Sequence, residues 1–390
     1  MPSDRFDQRT RDTLQELLQS SQYKRLRWIL GPMGSTVQVE GVGEVIVLCS
    51  NNYLGLANHP EVVEAGIEGL KRYGAGTASV RFICGTFDAH RCVEETTAQL
   101  VGAEAALTYV SCWNANEALI PTVAAAGDVI LSDELNHASI IDACRLTRQV
   151  ERQVYRHNDL ADLEAKLKQH ADKAVRWVIT DGVFSMEGDL ADLPGLVRLC
   201  RAYEAILIVD DSHGVGVLGA TGRGTPEHQG VLGQVDLLTG TYGKALGGAA
   251  GGYVAGPRHV IDLLIQRSRP SLFSNALPAT VACSADKAIE VLRREPRRVQ
   301  RLQDNARKIR DGLRRLGYQV HESPSAIIPI IIGDTAEAIA KSQRLLELGV
   351  WVVGFGYPVV PEGQARLRVQ ASAALTDAHI EQALDAFAKL

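Results

Sequence analysis

From about residue 60 to residue 285 the chain alternates short apolar runs with stretches of helical spacing, and this alternation constrains the fold more than any other feature. The runs Ala105–Val110, Val129–Ser132, Val175–Thr180, Ala205–Val209 and Val235–Thr239 have the length of strands. Between them lie Val62–Arg72, Asn114–Ala125, a stretch from Ala138, and Leu193–Tyr203, which read as helices. A strand that is apolar at nearly every position is buried on both faces, and strands joined through helices run parallel. The pattern predicts an α/β fold with a mainly parallel sheet.

The flanks read differently. Residues 7–29 read as a helix, and Val37–Val39 and Glu44–Cys49 as short strands around Gly41-Val42-Gly43. Residues 286–316 read as one long charged helix. Strands follow near Tyr318–His321, Ile327–Ile332, Val350–Gly354 and Arg366–Val369, with helices near Ala336–Leu348 and Thr376–Leu390. The expected organisation is an N-terminal helix with short strands over 1–50, a large α/β domain over 51–285, and a small C-terminal α+β domain over 286–390.

Composition narrows the function classes. The net charge of −5 gives no sign of a nucleic-acid partner. The seven cysteines are odd in number and contain no CxxC pair, which argues against a disulfide framework or a zinc knuckle and for a reducing compartment. The first residues are polar, and no apolar run approaches the ~18 residues of a membrane span. A cytoplasmic protein without a membrane segment is the expectation.

Three segments carry chemistry. In Leu237-Leu238-Thr239-Gly240-Thr241-Tyr242-Gly243-Lys244 an apolar strand runs into a Gly-rich loop with one lysine. A phosphate-binding P-loop would need Gly at position 238 and Ser or Thr at 245, where the chain has Leu and Ala. Lys244 is then either a solvated loop lysine or one whose amine is desolvated and able to attack an aldehyde. In Ile206-Leu207-Ile208-Val209-Asp210-Asp211-Ser212-His213 two carboxylates and a histidine follow a buried strand, where ligands collect in open α/β sheets. They suit a metal or a cationic ring nitrogen. With Lys244 past a later strand, a pyridoxal-phosphate (PLP) site is the sharper reading, and no metal is expected. Thr108-Tyr109-Val110-Ser111-Cys112-Trp113-Asn114-Ala115-Asn116 turns from strand to helix through small polar residues, which suits either an ordinary helix cap or a phosphate site.

Longer stretches carry a family resemblance. They include Ser50-Asn51-Asn52-Tyr53-Leu54-Gly55-Leu56, Ala78–Thr86, Leu135–Asp142 and Thr180–Met186. Further ones are Val209–His213, Arg267-Ser268-Arg269-Pro270, Leu272-Phe273-Ser274-Asn275, Pro358–Pro361 and Gly363–Arg368. From about Ile46 to Ala374 the chain resembles the α-oxoamine synthases, PLP enzymes of fold type I, and Val80–Thr86 with Ser274-Asn275 points to the acetyltransferase branch. The resemblance implies that Lys244 carries the cofactor as a Schiff base and moves protons. It implies that Asp210 pairs with the ring nitrogen, that His213 and Ser185 lie by the ring oxygen, and that His137 stacks on the ring. Ser111, Cys112 and Thr241 would hold the phosphate, and Ser274 and Asn275 would reach the phosphate of a neighbouring subunit, so that a homodimer shares its active sites. Arg368, helped by Asn51, would clamp the amino acid carboxylate. The implied substrates are glycine and acetyl-CoA. A longer acyl-CoA, another amino acid, or a PLP-binding protein without catalysis are the other readings.

Four positions depart from the branch pattern: Trp113 for Phe, Tyr242 for Leu, Gly214 for Ala, and Leu375 for His. Trp113 and Tyr242 flank phosphate-binding positions and are expected to bear on the cofactor or acyl pocket.

Overall fold

The computed structural model describes residues 3–390; the first two residues of the expected N-terminal segment lie outside it. Its contacts divide the chain into two units. The smaller holds the described residues up to 50, with 304–322 and 326–390, and the larger holds 51–303 and 323–325.

The chain opens with α1 (Asp4–Gln19), β1 (Thr36–Val39) and β2 (Gly43–Val47). The larger unit continues with α2 (Pro60–Tyr73), α3 (Asp88–Val101), β3 (Ala105–Tyr109), α4 (Cys112–Val123), β4 (Val129–Asp133) and α5 (Ala138–Leu146). Next come β5 (Glu151–Tyr155), α6 (Leu160–Gln169), β6 (Arg176–Asp181), α7 (Leu193–Ala202) and β7 (Ile206–Asp210). Then follow α8 (Thr225–His228), β8 (Leu237–Thr241), β9 (Gly252–Gly256), α9 (Arg258–Arg267), α10 (Arg269–Phe273) and α11 (Ala279–Arg294). Helix α12 (Arg297–Arg315) contributes to both units. The smaller unit ends with β10 (Ile327–Gly333), α13 (Thr335–Glu347), β11 (Val350–Trp351), β12 (Val353–Phe355), β13 (Ala365–Gln370) and α14 (Asp377–Phe387).

The larger unit is built on a seven-stranded sheet of order β3-β9-β8-β7-β6-β4-β5. Strands β8, β7, β6, β4 and β5 run parallel, and β9 runs antiparallel to both its neighbours. The expected α/β fold with a mainly parallel sheet is therefore present. Its core gathers Leu107, Ile130, Ile179, Ile208 and Val254 from the strands with Leu119 and Ile140 from α4 and α5. Each such side chain, fully buried, contributes about 1.5–3 kcal/mol. A parallel sheet brings the ends of β4, β6, β7 and β8 to one edge, and the chemically interesting residues lie there.

The smaller unit has two three-stranded sheets, β1-β2-β11 and β10-β13-β12. Arg368, in the middle of β13, is in register with Pro329 of β10 and Val353 of β12.

Four expected elements differ. The single strand expected over Val350–Gly354 is two, β11 and β12, which pair in different sheets. The helix expected over 7–29 stops at Gln19, because Ser21 takes a left-handed φ of 59° and breaks the ladder. The single helix expected over 286–316 is two helices. Pro296 has no N–H to give and forces Glu295 out of helical geometry, to φ −124° and ψ 60°. No strand forms over Tyr318–His321; Gly317 turns the chain at φ 88°, and the Tyr318 hydroxyl donates instead to the Phe387 carbonyl at 2.9 Å.

Candidate active site

Strands β4, β6 and β7 each end in an aspartate, Asp133, Asp181 and Asp210, and all three are buried. Asp181 and Asp210 are register partners on adjacent strands. Buried carboxylates so close must each be separately compensated.

Asp210 is compensated by donors. Its Oδ1 accepts from Ser212 N at 3.0 Å, and its Oδ2 from Asn116 Nδ2 at 2.8 Å and from Cys112 Sγ at 3.5 Å. Burial alone would raise its pKa; the bonds from Ser212 and Asn116, with the charges of Lys244 and His137, more than reverse this and hold it below the usual carboxylate range. Asp181 goes the other way: burial and the charge of Asp210 push it well above the usual range. Its Oδ2 accepts from the His137 N–H at 2.7 Å and so fixes the start of α5. Asp133 accepts from Leu135 N at 2.9 Å, Asn158 N at 3.0 Å and His157 Nδ1 at 2.9 Å. The other ring nitrogen of His157 meets Asp189 Oδ2 at 2.8 Å, at the foot of the turn that carries Ser185.

The histidines are held just as specifically. His137 caps α5, and its Nδ1 meets Ser139 Oγ at 2.8 Å. Its ring stands edge-on to Trp113, with centroids 6.0 Å apart. Nδ1 of buried His213 meets the Tyr53 hydroxyl at 2.8 Å. Asp211, next to Asp210, turns elsewhere: it takes 2.5 Å and 2.8 Å bonds from Thr225, and burial raises its pKa to about 7. The adjacent carboxylates thus serve different ends.

Helix α4 begins beside Asp210. The Ser111 hydroxyl accepts from Asn114 N at 3.1 Å, so the first amide groups of the helix sit next to a hydroxyl and the half-buried Cys112. Burial and Asp210 push that thiol well above its ordinary pKa. A side chain at Gly252 would place Cβ 2.3 Å from Cys112 N, so only glycine lets β9 pass this close to the helix start. The loop after β8 is pinned on itself: Thr241 Oγ1 donates to the Gly251 carbonyl at 2.9 Å and accepts from Gly243 N at 3.0 Å. Half-buried Lys244 follows, near enough for its charge to lower the pKa of Asp210, Asp181 and Cys112.

The structure thus gathers Cys112, His137, Asp210 and Lys244 at one sheet edge, with Ser111 and Thr241 adjoining them in sequence. Ser185 is half-buried in the turn after β6. Ser274 and exposed Asn275 follow α10, and half-buried Asn51 opens the larger unit. Arg368 belongs to the smaller unit, buried, with its guanidinium 5.7 Å from the centre of the Phe355 ring. Tyr242 differs from expectation. Its side chain is buried and its hydroxyl meets Thr97 Oγ1 of α3 at 2.8 Å, so it anchors the loop in the core.

Sequence reading missed Asn116, Tyr53, Asp181 and Ser212. Asn116 left a signal: a polar side chain among Ala115, Ala118 and Leu119 on the buried face of α4, four residues after Cys112.

The donor set fits PLP. A buried carboxylate kept ionised suits a pyridinium nitrogen, a lysine stands near it, and hydroxyls adjoin the amide groups of a helix start, which suit a phosphate.

An α/β sheet with this lysine and aspartate at its carboxyl edge defines the class, and the chain belongs to the aminotransferase class I and II family, whose model matches residues 43–387. It is 45% identical to 2-amino-3-ketobutyrate coenzyme A ligase of Salmonella typhimurium, across 100% of this chain and 98% of that one. It is 44% identical to 8-amino-7-oxononanoate synthase of Thermoanaerobacter pseudethanolicus, across 97% and 96% of the two chains. A high-resolution structure of SPT with its PLP internal aldimine superposes with a TM-score of 0.92 and 31% identity, covering 97% of this chain and 96% of that one. The fold is that of the fold-type I PLP-dependent transferases, and the resemblance to the α-oxoamine synthases holds over the full chain.

Proposed function

We propose that this chain is a PLP-dependent acyltransferase that joins glycine to acetyl-CoA, giving 2-amino-3-oxobutanoate and CoA, and that it runs in the cleavage direction in threonine degradation. One observation carries the reading: a buried Asp210 held ionised within reach of the Lys244 charge, in a chain matched end to end by a relative named 2-amino-3-ketobutyrate coenzyme A ligase.

PLP, when bound, supplies an electron sink that makes the glycine Cα–H acidic. The residues do the rest. Lys244 holds the cofactor through its amine and takes the Cα proton. Asp210 stays charged and keeps a proton on the ring nitrogen. His213, steadied by Tyr53, and Ser185 bond the ring oxygen, and His137 offers the flat face of its ring. Ser111, Cys112 and Thr241 bind the phosphate. Arg368, with Asn51, orients the glycine carboxylate by a two-point contact. The C–C bond forms at the thioester carbon as the C–S bond breaks, and CoA leaves as the thiol. We assign Ser274 and Asn275 to the cofactor phosphate of a second subunit, in a cytoplasmic homodimer with two shared sites. Among the described residues no helix is long and apolar enough to cross a membrane.

The comparison with 8-amino-7-oxononanoate synthase supports a second reading, with a longer acyl-CoA and another amino acid. A panel of acyl-CoA thioesters and amino acids, scored by CoA release, separates the two. Fastest release with glycine and acetyl-CoA is the expected result, and preference for a long acyl chain overturns it. A spectral change on adding glycine, without CoA release from any thioester, would mean a PLP-binding protein without acyl transfer.

A further inference from the structure

The first two turns of α4 carry a set of contacts that none of the roles above uses. Trp113 is 39% exposed, and its indole N–H is its one polar handle. Glu117 takes that handle one helical turn later: its Oε1 accepts from Trp113 Nε1 at 2.8 Å. Residues four apart on a helix share a face, so the acceptor is in place as soon as α4 forms. The other oxygen, Oε2, accepts from Asn114 Nδ2 at 3.2 Å. Asn114 in turn is bonded twice to Ser111: its N–H donates to Ser111 Oγ at 3.1 Å, and its Oδ1 accepts from that hydroxyl at 2.9 Å. With both oxygens engaged, the half-buried Glu117 carboxylate is fixed in plane as well as in place.

An indole this exposed would ordinarily exchange between rotamers. Held at its nitrogen, it keeps one orientation. That orientation matters because the indole meets the ring of His137 edge-on, with centroids 6.0 Å apart and planes at 79°. From its own helix, His137 is held at one nitrogen: Ser139 N donates to Nδ1 at 3.2 Å, and Ser139 Oγ meets the same atom at 2.8 Å. Those bonds fix one edge of an exposed imidazole, and the indole bounds its tilt from the side of α4. The carboxylate of Glu117, the indole and the imidazole thus form a chain that runs from the helix surface to the residue assigned to the cofactor ring.

We infer that Glu117 is a positioning residue of the PLP site: through the Trp113 indole it sets the tilt of the His137 ring against the cofactor. The inference rests on the proposal that His137 offers its flat face to the cofactor ring. The role asked of Glu117 is indirect, since it holds the ring that holds His137. An ordinary pair on a helix surface would act differently. It would show in the stability of α4 and leave the surroundings of the cofactor as they are.

The test titrates the cofactor-free protein with PLP and reads two quantities, the dissociation constant and the visible circular-dichroism band of the bound cofactor. Glu117→Ala should weaken PLP binding about twofold to tenfold, the reach of one edge-on aromatic contact. It should also change the intensity of the band, which reports the asymmetry around the cofactor ring. Glu117→Gln keeps an acceptor for the indole N–H and should recover most of both. With Trp113→Phe already in place there is no indole N–H to hold, and Glu117→Ala should then cost less than about twofold. An unchanged constant and band in Glu117→Ala overturn the inference, whether or not the melting temperature of the cofactor-free protein falls. The same fold-loss in both backgrounds also overturns it, and would make Glu117 a support of α4 alone. Failure of the underlying reading looks different: His137→Ala would keep the wild-type constant and band, and the chain from Glu117 would then end short of the cofactor, which overturns both.

Discussion

Asn116 gives its side-chain amide to Oδ2 of Asp210 at 2.8 Å and reaches Ser139 Oγ with the same nitrogen at 2.9 Å. This contact ties the interior of α4 to the end of β7 and helps keep Asp210 ionised while buried. Asn116→Ala should cost about 1.5–3 kcal/mol of stability near neutral pH, the value of a hydrogen bond to a charged group. The pH dependence has a definite sign. Because the folded pKa of Asp210 is depressed, its contribution is present above the ordinary carboxylate range and is lost as pH falls through the folded value. In Asn116→Ala the folded value rises, so the acid loss should begin at higher pH. Thermal melts of the cofactor-free proteins from pH 7 to pH 3 check this, and parallel acid limbs would refute it.

Lys244→Ala should abolish turnover, because it removes both the amine that holds the cofactor and the group that takes the proton. Borohydride treatment of the wild type followed by peptide mapping should place the cofactor on residue 244. A trapped link at any other lysine would end this assignment.

His157 is expected to act as a fixed positive clamp. Burial alone would lower its pKa, but bonds to Asp133 and Asp189 and their charges overcome this and raise it to about 10. Glu134 adds a third carboxylate nearby, accepting from the His157 N–H at 3.4 Å. A histidine whose folded pKa is raised contributes in full below its ordinary value near 6.5, and the contribution fades as pH climbs toward about 10. His157→Gln should therefore be less stable than wild type at pH 6, with the gap closing above pH 10. A gap that persists unchanged at high pH would mean that shape, not charge, holds the turn.

Changing Ser274 and Asn275 together to Ala should weaken PLP retention. Mixing that protein with Lys244→Ala chains should restore activity, because one site of each mixed dimer then has both intact parts. About a quarter of wild-type activity is the ceiling for random pairing in closed two-fold dimers. No recovery after proven subunit exchange would assign the phosphate to residues of a single chain.

The parallel strands were legible because each is an apolar run of strand length, buried on both faces. Strand β9 was not, since Gly252-Tyr253-Val254-Ala255-Gly256 begins and ends in glycine and enters antiparallel. Helix α3 was not, because its apolar positions are interrupted by Asp88, His90, Arg91, Glu94 and Glu95. Pro296 stood in plain view inside the expected long helix, and the charged face on either side of it masked the break. At the active site, Asp210 and Lys244 announced themselves by following apolar strands. Asn116 and Tyr53 act through contacts that no local pattern encodes, 94 and 160 residues from their partners.

Tyr242 has a consequence for how Lys244 can move. On either side of that lysine the main chain is tied down: Tyr242 N to the Gly251 carbonyl at 3.0 Å, Gly248 N to the Tyr242 carbonyl at 3.1 Å, and the tyrosine ring sunk in the core against Tyr253. The lysine is a crane on a bolted base. Its reach is swept out by rotation of its own methylenes, on the fast timescale of side chains, and no loop has to swing to bring the amine in or take it away.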